Sequence, residues 1–312
     1  MINLTTTHIK ILVVLLLTTV APTLSGMPSN LGRPLPVQAQ DVIQAVETST
    51  IVAGPNNTCA ITVEGKLLCW GDNEYGQVGD GTNTLRTTPV EVAGLNATVR
   101  SVAIGLYHIC ALTTAGRVRC WGNNFSGQLG TGNSQNSPNP VDVADLTSNV
   151  VSISAGLVHT CALLSTGEVK CWGSNQFGAI GNGSTENAWR PATVRGLGSN
   201  VRAMAAGYYL ACAVMNNGAA KCWGDNRSGA LGDGTKIQRN EPVDVKGLSS
   251  GVQSLVSGDY YVCALMTSGA VMCWPSASSL TPTPVNGLAA GVTALSGGGW
   301  HTCARMNNGR LK

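Results

Sequence analysis

The chain has 312 residues, among them 39 glycines and 11 cysteines, and only 11% of it is charged. With 19 Lys and Arg against 16 Asp and Glu the net charge is +3, without a basic cluster, which excludes the electrostatic footprint of a nucleic-acid-binding protein. No long stretch carries an apolar period of 3.6; short alternating runs of Val, Ala and Leu, bounded by Gly, Asn, Ser or Pro, predict an all-β chain of many short strands.

The first element in chain order is ILVVLLLTTVA, Ile11 to Ala21, which follows His8 and Lys10 and precedes the small residues Ser25 and Gly26. It is too short to cross a bilayer as a helix, so residues 1–26 read as a secretory signal peptide. The rival readings are an uncleaved N-terminal anchor and a later cleavage at Val37-Gln38-Ala39. Pro34 and Pro36 mark residues 27–47 as a linker. Cleavage would leave a secreted, periplasmic or cell-surface chain with no membrane span.

From residue 48 onward the chain repeats itself. CAITVEGKLLCWG starts at Cys59, CALTTAGRVRCWG at Cys110, CALLSTGEVKCWG at Cys161, CAVMNNGAAKCWG at Cys212 and CALMTSGAVMCWP at Cys263, each start 51 residues after the last. Such a period is the signature of one supersecondary unit stacked into a solenoid or propeller. The units are 48–98, 99–149, 150–200, 201–251 and 252–291, with a partial sixth at 292–312.

Secretion decides the role of the cysteines. In an oxidising compartment regularly spaced pairs read as disulfides rather than metal or redox sites. If Ser165-Thr166-Gly167 is a three-residue hairpin loop with Gly167 left-handed, then Leu163 faces Val169, Ala162 faces Lys170 and Cys161 faces Cys171. Counting outward makes the cysteine pair a non-hydrogen-bonded one, where strands come closest. The same count serves Gly65, Gly116, Gly218 and Gly269 and predicts five bridges: Cys59–Cys69, Cys110–Cys120, Cys161–Cys171, Cys212–Cys222 and Cys263–Cys273. One hairpin supplies too few ligands for zinc, and the spacing is not CxxC. Cys303 is left unpaired. Arg310-Leu311-Lys312 matches Arg117-Val118-Arg119 before Cys120, so the sequence is expected to be truncated one residue short of the partner of Cys303.

After each of the first four Cys-Trp pairs comes a glycine-rich excursion: GDNEYGQVGDGT from Gly71, GNNFSGQLGTGN from Gly122, GSNQFGAIGNGS from Gly173 and GDNRSGALGDGT from Gly224. Asn73, Asn124, Asn175 and Asn226 hold one place in them; Pro-Val-x-Val follows at Pro89, Pro140 and Pro242, and Gly-Leu at Gly94, Gly196 and Gly247. This pattern resembles the regulator-of-chromosome-condensation (RCC) repeat. The resemblance implies a β-propeller of four-stranded blades, seven in the family, against five blades and a partial sixth here. Trp70, Trp121, Trp172, Trp223 and Trp274 are then expected to fill the contacts between blades, because one hairpin has apolar residues on both faces and cannot cover them alone. The fifth unit, CWPSASSLTPTPV, lacks the excursion and is expected to form a sheet with a trimmed outer loop.

Nothing in the repeats reads as catalytic, and no cofactor or metal is expected. His108, His159 and His301 stand two residues before a cysteine, a place taken elsewhere by Asn57, Leu210 and Tyr261, so a structural role is expected. Asp72, Asp80, Asp225 and Asp233 lie among glycines without the spacing of a known calcium loop and read as polar turns. Founding members of the family act on chromatin and as a guanine-nucleotide exchange factor; a signal peptide puts that activity out of reach. A plant photoreceptor with this repeat uses several tryptophans in GWRHT-type motifs. Here only Gly299-Trp300-His301-Thr302 is similar, so light sensing is not expected.

The variable loop positions carry the functional expectation. Tyr75, Phe125, Phe177 and Arg227 lie inside the GxNxxG segments, and Arg86, Trp189, Arg190 and Arg239 in the loops that follow. Aromatics and Arg on a rigid scaffold suit protein recognition. For Phe125 and Phe177 the alternative is that they tuck into the blade. The expected function is a secreted, non-catalytic protein-interaction module, comparable to the bacterial propeller of this family that inhibits β-lactamases. The alternative is the propeller portion of a larger extracellular or cell-wall-associated enzyme or glycan-binding protein.

Overall fold

A computed structural model describes residues 48–312. The expected signal peptide and linker lie outside the described residues. In the first repeat, strands β1 (Thr48–Ala53), β2 (Asn57–Thr62), β3 (Leu67–Gly71) and β4 (Arg86–Glu91) pair antiparallel in sequence order. Four more sheets repeat that order, and a two-stranded sheet, Val292–Gly297 with Thr302–Met306, follows. The described residues contain no helix. First strands of successive sheets lie against one another, while the fourth strands are the most exposed, so the blades radiate outward as in a propeller.

The hairpin register follows from the left-handed glycine. Gly167 has φ +84°, and Leu163 pairs with Val169, Ala162 with Lys170 and Cys161 with Cys171. The facing cysteines lie 4.0–4.1 Å apart at Cα, the close spacing of a non-hydrogen-bonded pair, and all five disulfides are formed. Cys303 is a free, exposed thiol.

The two faces of each hairpin are buried by different neighbours. Leu163 and Val169 pack with Ala211, Ala213 and Trp223 of the next blade, while Ala162 and Trp172 pack with Leu112 and Val118 of the preceding one. The core is therefore a series of seams between sheets, and each disulfide lies in one. Trp121, Trp172, Trp223 and Trp274 are fully buried, and their indoles donate to the carbonyls of Gln77, Gln128, Ala179 and Ala230 at 2.8–2.9 Å. Each ring thus reaches into the glycine-rich excursion of the preceding blade. Close approach explains one of the glycines: a Cβ on Gly181 would lie 2.7 Å from the Trp223 indole nitrogen. Trp70, with no described blade before it, is only half-buried. The fifth sheet keeps four strands, but its last is only Thr283–Pro284.

Candidate functional site

The excursions are held from behind by one buried amide each. Asn175 Nδ2 donates to the carbonyls of Ser184 (3.1 Å) and Glu186 (3.0 Å), and its Oδ1 accepts from the Ile180 N–H (2.9 Å). Asn73 and Asn226 do the same in their own loops, and Asn124 holds its loop through the Asn133 carbonyl and the Leu129 N–H. An amide side chain offers two donors and an acceptor, which is what a loop without backbone partners of its own requires.

Two loops are closed further by ion pairs. Arg86 reaches Asp80 at 2.6 Å and Arg239 reaches Asp233 at 2.9 Å. Burial works against ionisation of both carboxyls, but Thr82 with Arg86, and Thr235 with Arg239, outweigh it and hold both below the usual range. Among the described residues no three His, Cys, Asp or Glu side chains converge as a metal ion requires.

In front of this backing lies a row of aromatic rings. Tyr75 meets Tyr107 at 5.2 Å and Phe125 at 6.0 Å between ring centroids. A second run joins Phe177 to Tyr209 (4.8 Å), Tyr209 to Tyr208 (4.6 Å), Tyr208 to Tyr260 (5.5 Å) and Tyr260 to Trp300 (5.8 Å). Tyr75, Phe125 and Phe177 come from the starts of the excursions; Tyr107, Tyr208, Tyr209, Tyr260 and Trp300 come from turns between first and second strands. Both sets of loops share one end of the blades, so residues from five repeats and the last hairpin form one face. The Arg227 guanidinium lies 4.3 Å over the Phe177 ring and pairs with Asp225 at 2.7 Å. Burial raises the phenols of Tyr208 and Tyr209, which therefore stay protonated as hydrogen-bond donors.

Beneath the face lie two histidines with no access to solvent. His108 Nε2 is 2.8 Å from Thr160 Oγ1, while the His159 ring nitrogens make no well-formed hydrogen bond and have the Leu210 backbone beside them. Burial pushes His108 down to about 3, helped by His159, and His159 down to about 4, so both are neutral at pH 7. A neutral, sealed imidazole serves packing rather than proton transfer at the surface. The Tyr261 hydroxyl, in the same repeat position, contacts the carbonyls of Gly298 and His301 and accepts from Thr302.

Of the eight loop residues expected from the sequence, Tyr75, Phe125, Phe177 and Arg227 meet on this face. Phe125 is 65% exposed and does not tuck into its blade, whereas Phe177 is half-buried against Tyr209 and Arg227. Of the other four, Arg86 and Arg239 close their own loops, while Trp189 and Arg190 reach the preceding blade. Arg86 and Arg239 hold Asp80 and Asp233, Arg190 lies 3.4 Å from Asp145, and Trp189 packs against Gly127 of the preceding blade. Sequence reasoning passed over Tyr107, Tyr208, Tyr209, Tyr260 and Trp300 as binding residues. A signal existed: the position three before the first cysteine is aromatic in Tyr107, Tyr209, Tyr260 and Trp300, against Asn56 and Val158.

Residues 24–311 match the RCC1-like domain family. The human E3 ubiquitin-protein ligase HERC2 is 31% identical over 75% of the chain, and the Arabidopsis thaliana ultraviolet-B receptor UVR8 is 32% identical over 68%. The chain spans 5% of the length of HERC2 and 49% of UVR8. Among solved structures, yeast RCC1 (Prp20), in its complex with Kap60, is similar in fold, with a TM-score of 0.70, 20% identity, and coverage of 82% of this chain and 65% of the other.

Proposed function

The chain belongs to the RCC1-like domain family, and on that premise we propose that it is a secreted, non-catalytic scaffold that binds a protein partner through the aromatic loop face. The aromatic row carries this reading. Aromatic rings and Arg dominate the energetics of protein interfaces, and here they stand on loops whose backbones are fixed by buried amides, so little ordering is needed on binding. Five disulfides are consistent with an oxidising extracellular environment. The histidines beneath the face are neutral and sealed, so neither of them serves the surface as a general base. In the yeast RCC1 structure a protein of this fold is bound to a protein, Kap60, which fits the same use.

A second reading has its own observation. A row of tyrosines ending in Trp300 also suits stacking against sugar rings, as in a glycan-binding portion of a larger extracellular protein. One experiment separates the two. A photo-crosslinking phenylalanine analogue is placed at Phe125, and at Val63, which is 57% exposed in the β2–β3 turn, in protein returned to its native secretions. The scaffold reading expects one protein adduct of discrete mass from position 125 and none from position 63. Equal adducts from both positions, or none together with saturable binding of soluble oligosaccharides, overturns it.

A further inference from the structure

Asp259 differs from the other acidic residues of the loops. Asp80, Asp225 and Asp233 each hold an arginine of their own loop, at 2.6, 2.7 and 2.9 Å. The Asp259 carboxylate makes no ion pair among the described residues, yet burial pushes its carboxyl up from the usual range. Its backbone N–H donates to the Gly299 carbonyl at 3.0 Å, which ties its turn to the next one. A Cβ on Gly299 would stand 3.2 Å from both carboxylate oxygens, so the Gly299 turn lies close against the Asp259 side chain and a larger residue there would crowd it. Tyr260 follows Asp259 in the same turn and Trp300 follows Gly299 in the tied turn, and their rings continue the run from Tyr208, with centroid spacings of 5.5 Å from Tyr208 to Tyr260 and 5.8 Å from Tyr260 to Trp300. Burial chiefly raises the phenols of Tyr208 and Tyr261, and the Asp259 charge adds a smaller push to both.

A carboxylate partly withdrawn from water and lacking a counter-ion attracts a cation from outside, and ring faces attract the same cation through their quadrupoles. The ligand set argues against a metal: one carboxylate and aromatic faces fall short of the six or more oxygens a calcium ion takes. The face also contains its own precedent in Arg227, whose guanidinium lies over Phe177 while paired with Asp225. Ring, guanidinium and carboxylate together are the complete arrangement; at Asp259 a carboxylate and neighbouring aromatic turns are present without a guanidinium.

We propose that Asp259, with Tyr208, Tyr260 and Trp300, is the seat for a lysine or arginine side chain of the protein partner. The assignment rests on the loop-face reading and gives that partner its chemistry: a basic residue in an exposed segment, inserted between the turns of the fourth and fifth repeats and the last hairpin.

The test is NMR of the tryptophan indoles of the full secreted chain, titrated with acetyl-Gly-Lys-Gly-amide, its arginine counterpart and its neutral norleucine counterpart. Expected is a saturable shift of the exposed Trp300 indole with both basic peptides, at least about ten-fold tighter than with norleucine. In Asp259→Asn that preference falls to about two-fold or less, while the buried indoles of Trp121, Trp172, Trp223 and Trp274 stay in place and show that the variant is folded. Equal binding of the norleucine peptide, or an undiminished preference in Asp259→Asn, overturns the proposal. The two readings fail separately. Crosslinking through Phe125 without lysine selectivity sinks the cation seat alone, and lysine selectivity without any crosslinked protein sinks the scaffold reading alone.

Discussion

Trp172 and Phe125 belong to neighbouring blades and illustrate two uses of an aromatic ring on the same repeat. Trp172 is fully buried and donates its indole hydrogen to Gln128, inside the excursion that also carries Phe125. Phe125, three residues earlier in that excursion, is 65% exposed and touches only Tyr75 among the rings. One side of the loop is therefore fixed by the next blade and by Asn124, and the other is free to vary. The tryptophan recurs in every unit because the seam recurs. The face residues differ from unit to unit, as Tyr75, Phe125, Phe177 and Arg227 do, because no seam constrains them.

The comparison is broken most severely at the seam. Replacing Trp172 by Ala removes a filled contact and an indole hydrogen bond together, and is expected to lower unfolding free energy by about 3–5 kcal/mol. Guanidinium denaturation checks it; a loss below about 1 kcal/mol would mean that the seam does not depend on the ring.

A smaller effect is expected on acidification. An unfolded histidine has a pKa of about 6.5, and burial lowers that of His159 to about 4 in the folded chain. The unfolded state therefore binds more protons between these values. Stability is complete above about pH 6.5 and is lost as pH falls toward 4, by roughly 2 kcal/mol for His159 between pH 7 and 5. Leu210 occupies the same repeat position in the fourth blade, so His159→Leu is expected to flatten this limb of the pH–stability curve without collapsing the sheet. An unchanged slope would mean that water reaches the ring.

The smallest effect is expected on the face. Phe125→Ala should change unfolding free energy by no more than about 0.5 kcal/mol, within the range of exposed substitutions, while abolishing crosslinking from neighbouring face positions. A loss of stability comparable to that of Trp172→Ala would erase the distinction between the two regions.

Much of the seam was legible in the sequence because its signals are local. The register from Gly167 to the Cys161–Cys171 pair spans one hairpin, and the 51-residue period shows that one solution holds for all copies. The face was legible only in part. Tyr75 and Tyr107, or Tyr208 and Tyr260, touch because adjacent blades are rotated about a common axis, and no spacing within one repeat encodes that rotation. Arg86 and Arg239 show the converse. Each follows a loop aspartate by six residues, Asp80 and Asp233, and that short-range pairing competes with any role at a partner surface. Asp259 has no arginine at the matching distance, a difference visible in the sequence once the pairing is known.

The five disulfides, each joining cysteines only 10 positions apart, also give the chain a mechanical character. Every one lies within a single blade, so no covalent bond other than the backbone joins one blade to the next. Under tension blades would part in sequence rather than together. Each released repeat would pay out about 41 of its 51 residues, roughly 140 Å at some 3.4 Å per residue, with its hairpin still locked and ready to re-form the seam when the load is removed.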